Sequence, residues 1–320
     1  MTNSDISLSA EGKQTPRKKK GLHQQRVKTA WILIAPTLLL LFGVAGWPLL
    51  KTFYYSFTNA ALDAPEFYDF VGFDNYFTTF EGEAYGVLAD GLWWQAVGNT
   101  LWFTCWSVSF ELVIGLLFAL LMNQKFKGQG LMRAAILVPW AIPTIVTAKM
   151  WGWMFHDQYG VVNYVLNFFG IIDTNLAWIA EPNLSMWAVV VADVWKTVPF
   201  MALMLLAALQ TVPGDLHEAA RVDGATAWQR FWKITLPLIM PAMVVALIFR
   251  IMDALRVFDL IYVLTSNSES TISISGYARD QIVAYQEMGS GSAASVLVFM
   301  LVGGIAVSFL YASRMHKLED

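Results

Sequence analysis

The sequence predicts an all-α membrane protein of six transmembrane helices, with a folded connector between the fourth and the fifth. Three observations predict it. Of the 320 residues, 57% are hydrophobic and only 14% are charged, a balance outside that of a soluble globular domain. Six apolar runs reach the roughly 20 residues that a bilayer crossing requires: 30–57, 95–123, 130–155, 184–210, 238–264 and 291–313. Lys and Arg fall on alternate connectors, as the positive-inside rule requires of a multi-pass chain.

Taken in order, the chain divides into a basic tail at 1–28, a transmembrane body at 29–315 and a short C-terminal tail at 316–320. The basic tail carries Lys13, Arg17, Lys18, Lys19, Lys20, Arg26 and Lys28. The first apolar run continues through Gly43–Leu49, beyond the length of a signal-peptide core and without a small-residue cleavage site, so it is expected to remain as an anchor. The connector 58–94 has no Lys or Arg and alternates acids (Asp63, Glu66, Asp69, Asp74, Glu81, Glu83, Asp90) with aromatic residues. Two roles fit it, a docking surface and a solvated loop from which basic residues are excluded. The second and third runs are joined by a stretch with Lys125, Lys127 and Arg133, the third and fourth by 156–183 with no Lys or Arg. The fourth and fifth are joined by a stretch with Arg221, Arg230 and Lys233; 265–290 carries only Arg279, and the end of the chain carries Arg314 and Lys317. Both termini are therefore expected in the cytoplasm.

Several chemistries are excluded by what the sequence lacks. The single cysteine, Cys105, permits no intrachain disulfide, and the four histidines, His23, His156, His217 and His316, have no ligand spacing. No metal site or cofactor of the chain's own is expected. No G-x-x-x-x-G-K-[ST] loop is present, so the chain does not bind ATP in that way, and neither H-E-x-x-H nor G-x-S-x-G occurs. An intramembrane metalloenzyme or serine hydrolase therefore has no support in the sequence. The halves show no obvious internal repeat, which weakens a self-contained carrier.

Function is then sought in the connector Thr211–Pro237, which is long for a simple link. Pro213-Gly214-Asp215 reads as a helix start, Leu216 to Val222 as a short helix and Asp223-Gly224 as a turn. Thr226 and Gln229 form a capping box for a second helix, on which Trp228, Phe231 and Trp232 share a face suited to the membrane interface. The first helix would expose the small Ala219 and Ala220 beside Glu218 and Arg221, a surface a partner can enclose.

Within this connector stands E-A-A-x3-G-x9-I-x-L-P: Glu218-Ala219-Ala220, Gly224, then Ile234, Leu236 and Pro237. The pattern resembles the signature of permease subunits of binding-protein-dependent ABC importers, here complete and in the fourth–fifth connector of a six-span chain. Val71-Gly72-Phe73-Asp74-Asn75-Tyr76 and the stretch from Asp253 to Thr265 resemble the sugar-type branch, that of maltose, trehalose and glycerol-phosphate permeases. After Thr265 that branch continues with a Gly-Gly-Gly-Pro-like turn, whereas this chain has Ser266-Asn267-Ser268-Glu269. The resemblance implies the type I importer fold in a bacterial inner membrane, a second permease forming a heterodimer, a cytoplasmic ATPase dimer that holds ATP and magnesium, and an extracytoplasmic substrate-binding protein. It implies a sugar cargo, such as a trehalose- or maltose-like α-glucoside; a permease for another solute and an ion-coupled carrier are the alternatives. It also implies that Glu218, Ala219, Ala220, Arg221, Asp223 and Gly224, with Ile234, Leu236 and Pro237, form the segment that couples to the ATPase.

For the substrate path, charges inside spans must be paired or face a polar interior. Asp193 and Lys196 share a face of the fourth run and Arg250 and Asp253 a face of the fifth, with Arg256 and Asp259 continuing the second stripe. At 1.5 Å per residue, Asp193 lies roughly 14 Å and Asp253 roughly 16 Å from the outer ends of their runs, so the two sets can meet near mid-membrane. Structural ion pairing and substrate contact both fit these groups. Asn99, Trp102 and Trp195 offer the hydrogen bonds and stacking faces that a sugar needs, and packing fits the tryptophans equally.

Overall fold

A computed structural model describes residues 20–124 and 126–315. Most of the basic tail (with Lys13, Arg17, Lys18 and Lys19), Lys125 and the C-terminal 316–320 with His316 and Lys317 lie outside the described residues. The chain forms two units that divide after Lys51.

In the first unit, α1 (Lys20–Leu41) passes through a π-helical turn, Phe42–Gly46, into α2 (Trp47–Tyr55). The apolar rod Arg26–Tyr55 is 30 residues long, about 45 Å at 1.5 Å per residue and more than a hydrocarbon layer needs. The π turn has a local cause. Pro48 has no N–H, and its ring would press on the carbonyl of Val44 four residues back. The wide turn, closed by Trp47 N–H on the Phe42 carbonyl, makes room for it.

The second unit takes in the last four residues of α2 and then the acidic connector, which contains a hairpin that the sequence does not announce: β1 (Thr78–Phe80) pairs antiparallel with β2 (Glu83–Tyr85), Thr79 opposite Ala84. Asp90 then caps α3 (Gly91–Asn123) by accepting from Leu92 N–H at 2.8 Å. The expected third span 130–155 is two helices, α4 (Gln129–Ala141) and α5 (Thr144–Met154), bent by 93°. Pro143 sets the break: it forces Ile142 into extended backbone (ψ 130°) and supplies no N–H to continue α4. The short α6 (Val161–Phe168) is tied into its loop by buried Asn163, whose side chain bonds Leu176 N–H and accepts from the Trp178 indole at 2.9 Å. α7 (Pro182–Leu209) follows, continuous through Pro199.

The fifth span is also displaced. After α8 (Gly214–Val222), α9 (Ala227–Arg230) runs through a second π turn, Phe231–Thr235, into α10 (Leu236–Ala254), giving one rod Ala227–Ala254 in place of the expected 238–264. Again a proline follows the wide turn: Pro237 would press on Lys233, which lies inside it. The rod stops at Ala254, and Phe258 (φ −143°, ψ −63°) separates it from α11 (Asp259–Thr265). Arg256 and Asp259 therefore do not continue the α10 stripe, and Asp253 sits in the last turn of its helix instead of far below its end. The chain closes with α12 (Ile274–Val283) and α13 (Met288–Met315). Among the described residues, five helices are long and apolar enough to cross a membrane, or six if the bent α4–α5 pair is one span.

Within the second unit α7 is the most buried span, and three apolar clusters surround it and its neighbours. One joins α3, α5, α7 and α11 through Phe103, Trp151, Val189 and Ile261. A second joins α3 to α12 and α13 through Trp93, Tyr277 and Ala293. A third joins α3, α7 and α10 through Met122, Leu205 and Ile239. The approach of α3 to α7 depends on Gly115, where a Cβ would lie 2.8 Å from Met201 Cγ and 3.3 Å from the Ala202 nitrogen.

Candidate functional site: the α7–α10 connector and a buried charge cluster

The connector folds as its sequence expects. Pro213 precedes α8, Asp215 stands in the first turn and Arg221 in the last, each matching the helix dipole. The helix ends in a Schellman motif, with Ala225 N–H on the Ala220 carbonyl at 2.9 Å and Gly224 N–H on the Arg221 carbonyl at 3.1 Å. That closure needs left-handed backbone at Gly224, whose φ is 79°. A Cβ there would meet nothing within 4 Å, so the requirement is conformational and not one of space within the chain. Thr226 then makes the expected capping box: Gln229 N–H reaches the Thr226 hydroxyl at 3.3 Å, and Thr226 N–H reaches Gln229 Oε1 at 2.9 Å.

One face of α8 is free. Asp215, Glu218, Ala219 and Val222 follow helical spacing and are all exposed, Val222 by 87%, whereas His217 and Ala220 are half-buried. Arg221, Asp223 and Gly224 are exposed as well. Ile234 and Leu236 are half-buried and Pro237 is exposed; Leu236 packs against the α3–α7–α10 cluster. The second half of the signature thus belongs to the rod and the first half to the exposed surface, except Ala220, which is half-buried and not exposed as its sequence position suggests, because it lies off the free face of α8. Trp228, Phe231 and Trp232 pack together, Trp232 edge-on against the other two, with ring centroids 5.5 to 6.3 Å apart.

The intramembrane charges meet around Arg250. Its Nε and Nη2 bond Glu111 of α3, Nη2 also bonds Asp193 of α7, and Nη1 donates to Asp253 at 3.2 Å. Arg250 is 2% exposed, Glu111 is fully buried, and only the Asp253 side chain is open. Ser107 Oγ lies 2.8 Å from Glu111 Oε1 and 2.5 Å from Asp193 Oδ2, and Thr197 donates to Glu111 Oε1 at 2.6 Å. Sequence reasoning reaches Asp193, Arg250 and Asp253 but misses Glu111, Ser107 and Thr197. The missed signal is Glu111 itself, a lone carboxylate in the apolar run 95–123 that demands a cationic partner.

The other path candidates are engaged elsewhere. Lys196 donates to Thr144 Oγ1 of α5 at 2.6 Å rather than joining Asp193. Asn99 donates to the carbonyls of Glu269 and Ile272 at 3.2 and 3.1 Å, tying the loop between α11 and α12 to α3. Trp102 packs edge-on against Trp187 with centroids 4.7 Å apart, and Trp195 edge-on against Trp151 at 5.9 Å. Among the described residues no group of acids, histidines and cysteine could hold a metal ion.

A family model described as the binding-protein-dependent transport system inner membrane component matches residues 111–314. The chain belongs to this family. It is a permease subunit of an ABC importer, a multi-pass membrane protein and not an enzyme. Among the relatives, the trehalose/maltose transport system permease of Thermococcus litoralis is 41% identical over 92% of this chain and 97% of its own. The trehalose transport system permease of Mycobacterium tuberculosis is 40% identical over 91% of each chain. The sulfoquinovosyl glycerol transport system permease of Agrobacterium fabrum is 39% identical over 98% of each. Among solved structures, a bacterial ABC transporter that imports alginate aligns with a TM-score of 0.77 at 23% identity, over 93% of this chain and 99% of its own. That likeness carries the fold: a permease of the type I importer architecture.

Proposed function

We propose that this permease translocates a sugar, an oligosaccharide or α-glucoside of the trehalose or maltose kind, received from an extracytoplasmic binding protein. The observation that carries the reading is the run of about 40% identity along nearly the whole of two relatives named for trehalose or trehalose/maltose transport. In the assembly it pairs with a second permease, and a cytoplasmic ATPase dimer, which holds ATP and magnesium, grips the exposed face of α8 from Glu218 to Gly224. The segregation of Lys and Arg supports the reading that α8 and both termini face the cytoplasm, with the chain in the inner membrane. Closure of the ATPase dimer moves α8, and the movement reaches the substrate path mechanically.

The test is uptake by the assembled importer in vesicles, with ATP inside and the cognate binding protein outside. ATP-dependent accumulation of labelled trehalose or maltose is expected. Accumulation without ATP would instead indicate an ion-coupled carrier. The Agrobacterium relative favours a second cargo, a charged glycosyl glycerol, and selective uptake of sulfoquinovosyl glycerol over both disaccharides would replace the α-glucoside reading.

A further inference from the structure

Arg250 is already satisfied by protein: all three of its nitrogens are engaged by carboxylates, and it is 2% exposed. Its place along the chain is as telling as its partners. The rod Ala227–Ala254 begins at the capping box beside Gly224 and carries Arg250 twenty residues beyond Arg230, about 30 Å away at 1.5 Å per residue. Four residues after Arg250 the rod ends, and regular helix resumes only at Asp259. A displacement of the rod is therefore not handed along the backbone to α11. It passes sideways.

Two kinds of contact are available for that. The apolar contacts of the cluster that α10 shares with α3 and α7, in which Met243 and Ala246 join Met201 and Leu205, are non-directional and permit sliding. The guanidinium is directional: one fork joins Glu111 on α3 and Asp193 on α7, with Ser107 and Thr197 fixing the carboxylates. In a low-dielectric interior, separating such charges is far more costly than shifting a methyl group. We propose that Arg250 is a coupling clamp: a positioning residue that makes α3, α7 and α10 move as one body, so that force applied at α8 and α9 arrives at the substrate path instead of being dissipated as slip of α10. The inference rests on the reading of α8 as the ATPase-coupling segment.

The test uses the complete importer, with sugar transported per ATP hydrolysed as the readout. A simple packing role would lower assembly or total activity and leave this ratio alone. In the neutral triple variant Glu111→Gln/Asp193→Asn/Arg250→Met, which buries no unpaired charge, the ratio is expected to fall by about tenfold, within the usual range for coupling between sites. Arg250→Lys keeps the charge on a single nitrogen and serves where the triple variant does not assemble; about a threefold fall is expected, because one ammonium cannot reproduce the bidentate fork. An unchanged ratio in either assembled variant overturns the clamp. Glu218→Lys and Val222→Asp on the free face of α8 are assayed beside them. If these bind the ATPase and transport like the unaltered chain, the coupling reading itself fails; if they are impaired while the Arg250 variants keep their ratio, only the clamp fails.

Discussion

Gly224 offers the sharpest separation between backbone strain and partner contact. Its φ of 79° closes two hydrogen bonds at the end of α8, and no atom lies within 4 Å of where a Cβ would stand. Gly224→Ala therefore meets no clash inside the chain, and its cost is the left-handed conformation, about 1–2 kcal/mol. Asn tolerates that region better, so Gly224→Asn should cost less than Ala. Gly224→Asp should resemble Asn in backbone terms while adding a negative charge to a surface that already carries Asp215, Glu218 and Asp223. All three variants should insert normally, since the transmembrane core does not involve this site. Affinity of detergent-solubilised permease for the ATPase, measured by surface-immobilised binding, should weaken in the order Asn, Ala, Asp, with Ala down by about tenfold for a cost near 1.4 kcal/mol. If Asn proves as damaging as Asp, strain is not the cause and the glycine is required by crowding from the partner. If all three bind like the unaltered chain, the connector does not dock in this conformation.

Three other outcomes follow from the packing and the charges. Arg250→Met alone leaves Glu111 and Asp193 buried without their cation, and thermal unfolding in detergent should register a loss of about 3–5 kcal/mol that the neutral triple variant largely restores. Gly115→Ile should destabilise by about 1–3 kcal/mol through overpacking of α3 on α7, partly relieved by Met201→Ala, because Met201 Cγ is the nearest atom. At the start of α3, burial and then the hydrogen bond to Asp90 raise the Tyr277 hydroxyl above its ordinary value of 10.0. A raised phenol means that the folded chain holds its proton longer than the unfolded one, so this contribution is complete below pH 10 and fades as pH rises beyond it. Melting temperature followed from pH 8 to about 11 should fall less steeply in Tyr277→Phe than in the unaltered chain.

The connector was legible because its determinants are local. Capping, a glycine turn and aromatic spacing act within a few residues, so Thr226, Gly224 and Gln229 adopt the geometry their order requires. The span boundaries were less so. Apolar composition runs on across the 93° bend at Pro143 and, interrupted only by Arg256 and Asp259, past the end of α10 at Ala254, and backbone constraints, a proline without a donor and the distorted Phe258, divide these runs. The charge cluster was half visible: helical spacing pairs Arg250 with Asp253, but the buried partners come from α3 and α7, 139 and 57 residues away in sequence. Periodicity cannot report a contact made between helices, and it paired Lys196 with Asp193 where the fold gives Lys196 to Thr144.

The π turn before Pro237 also explains why the signature is spaced as it is. A π turn stores one residue more than an α-helical turn would hold, and each residue in an α-helix advances the side chains by about 100°. The nine residues between Gly224 and Ile234 include Phe231, Trp232 and Lys233, which lie in that widened turn. The count in the motif is thus a rotational setting. It fixes the angle at which Trp228 of α9 and the exposed edge of α8 are presented relative to the side of α10 that carries Arg250, and removing one residue from the interval would turn the handle without shortening the shaft.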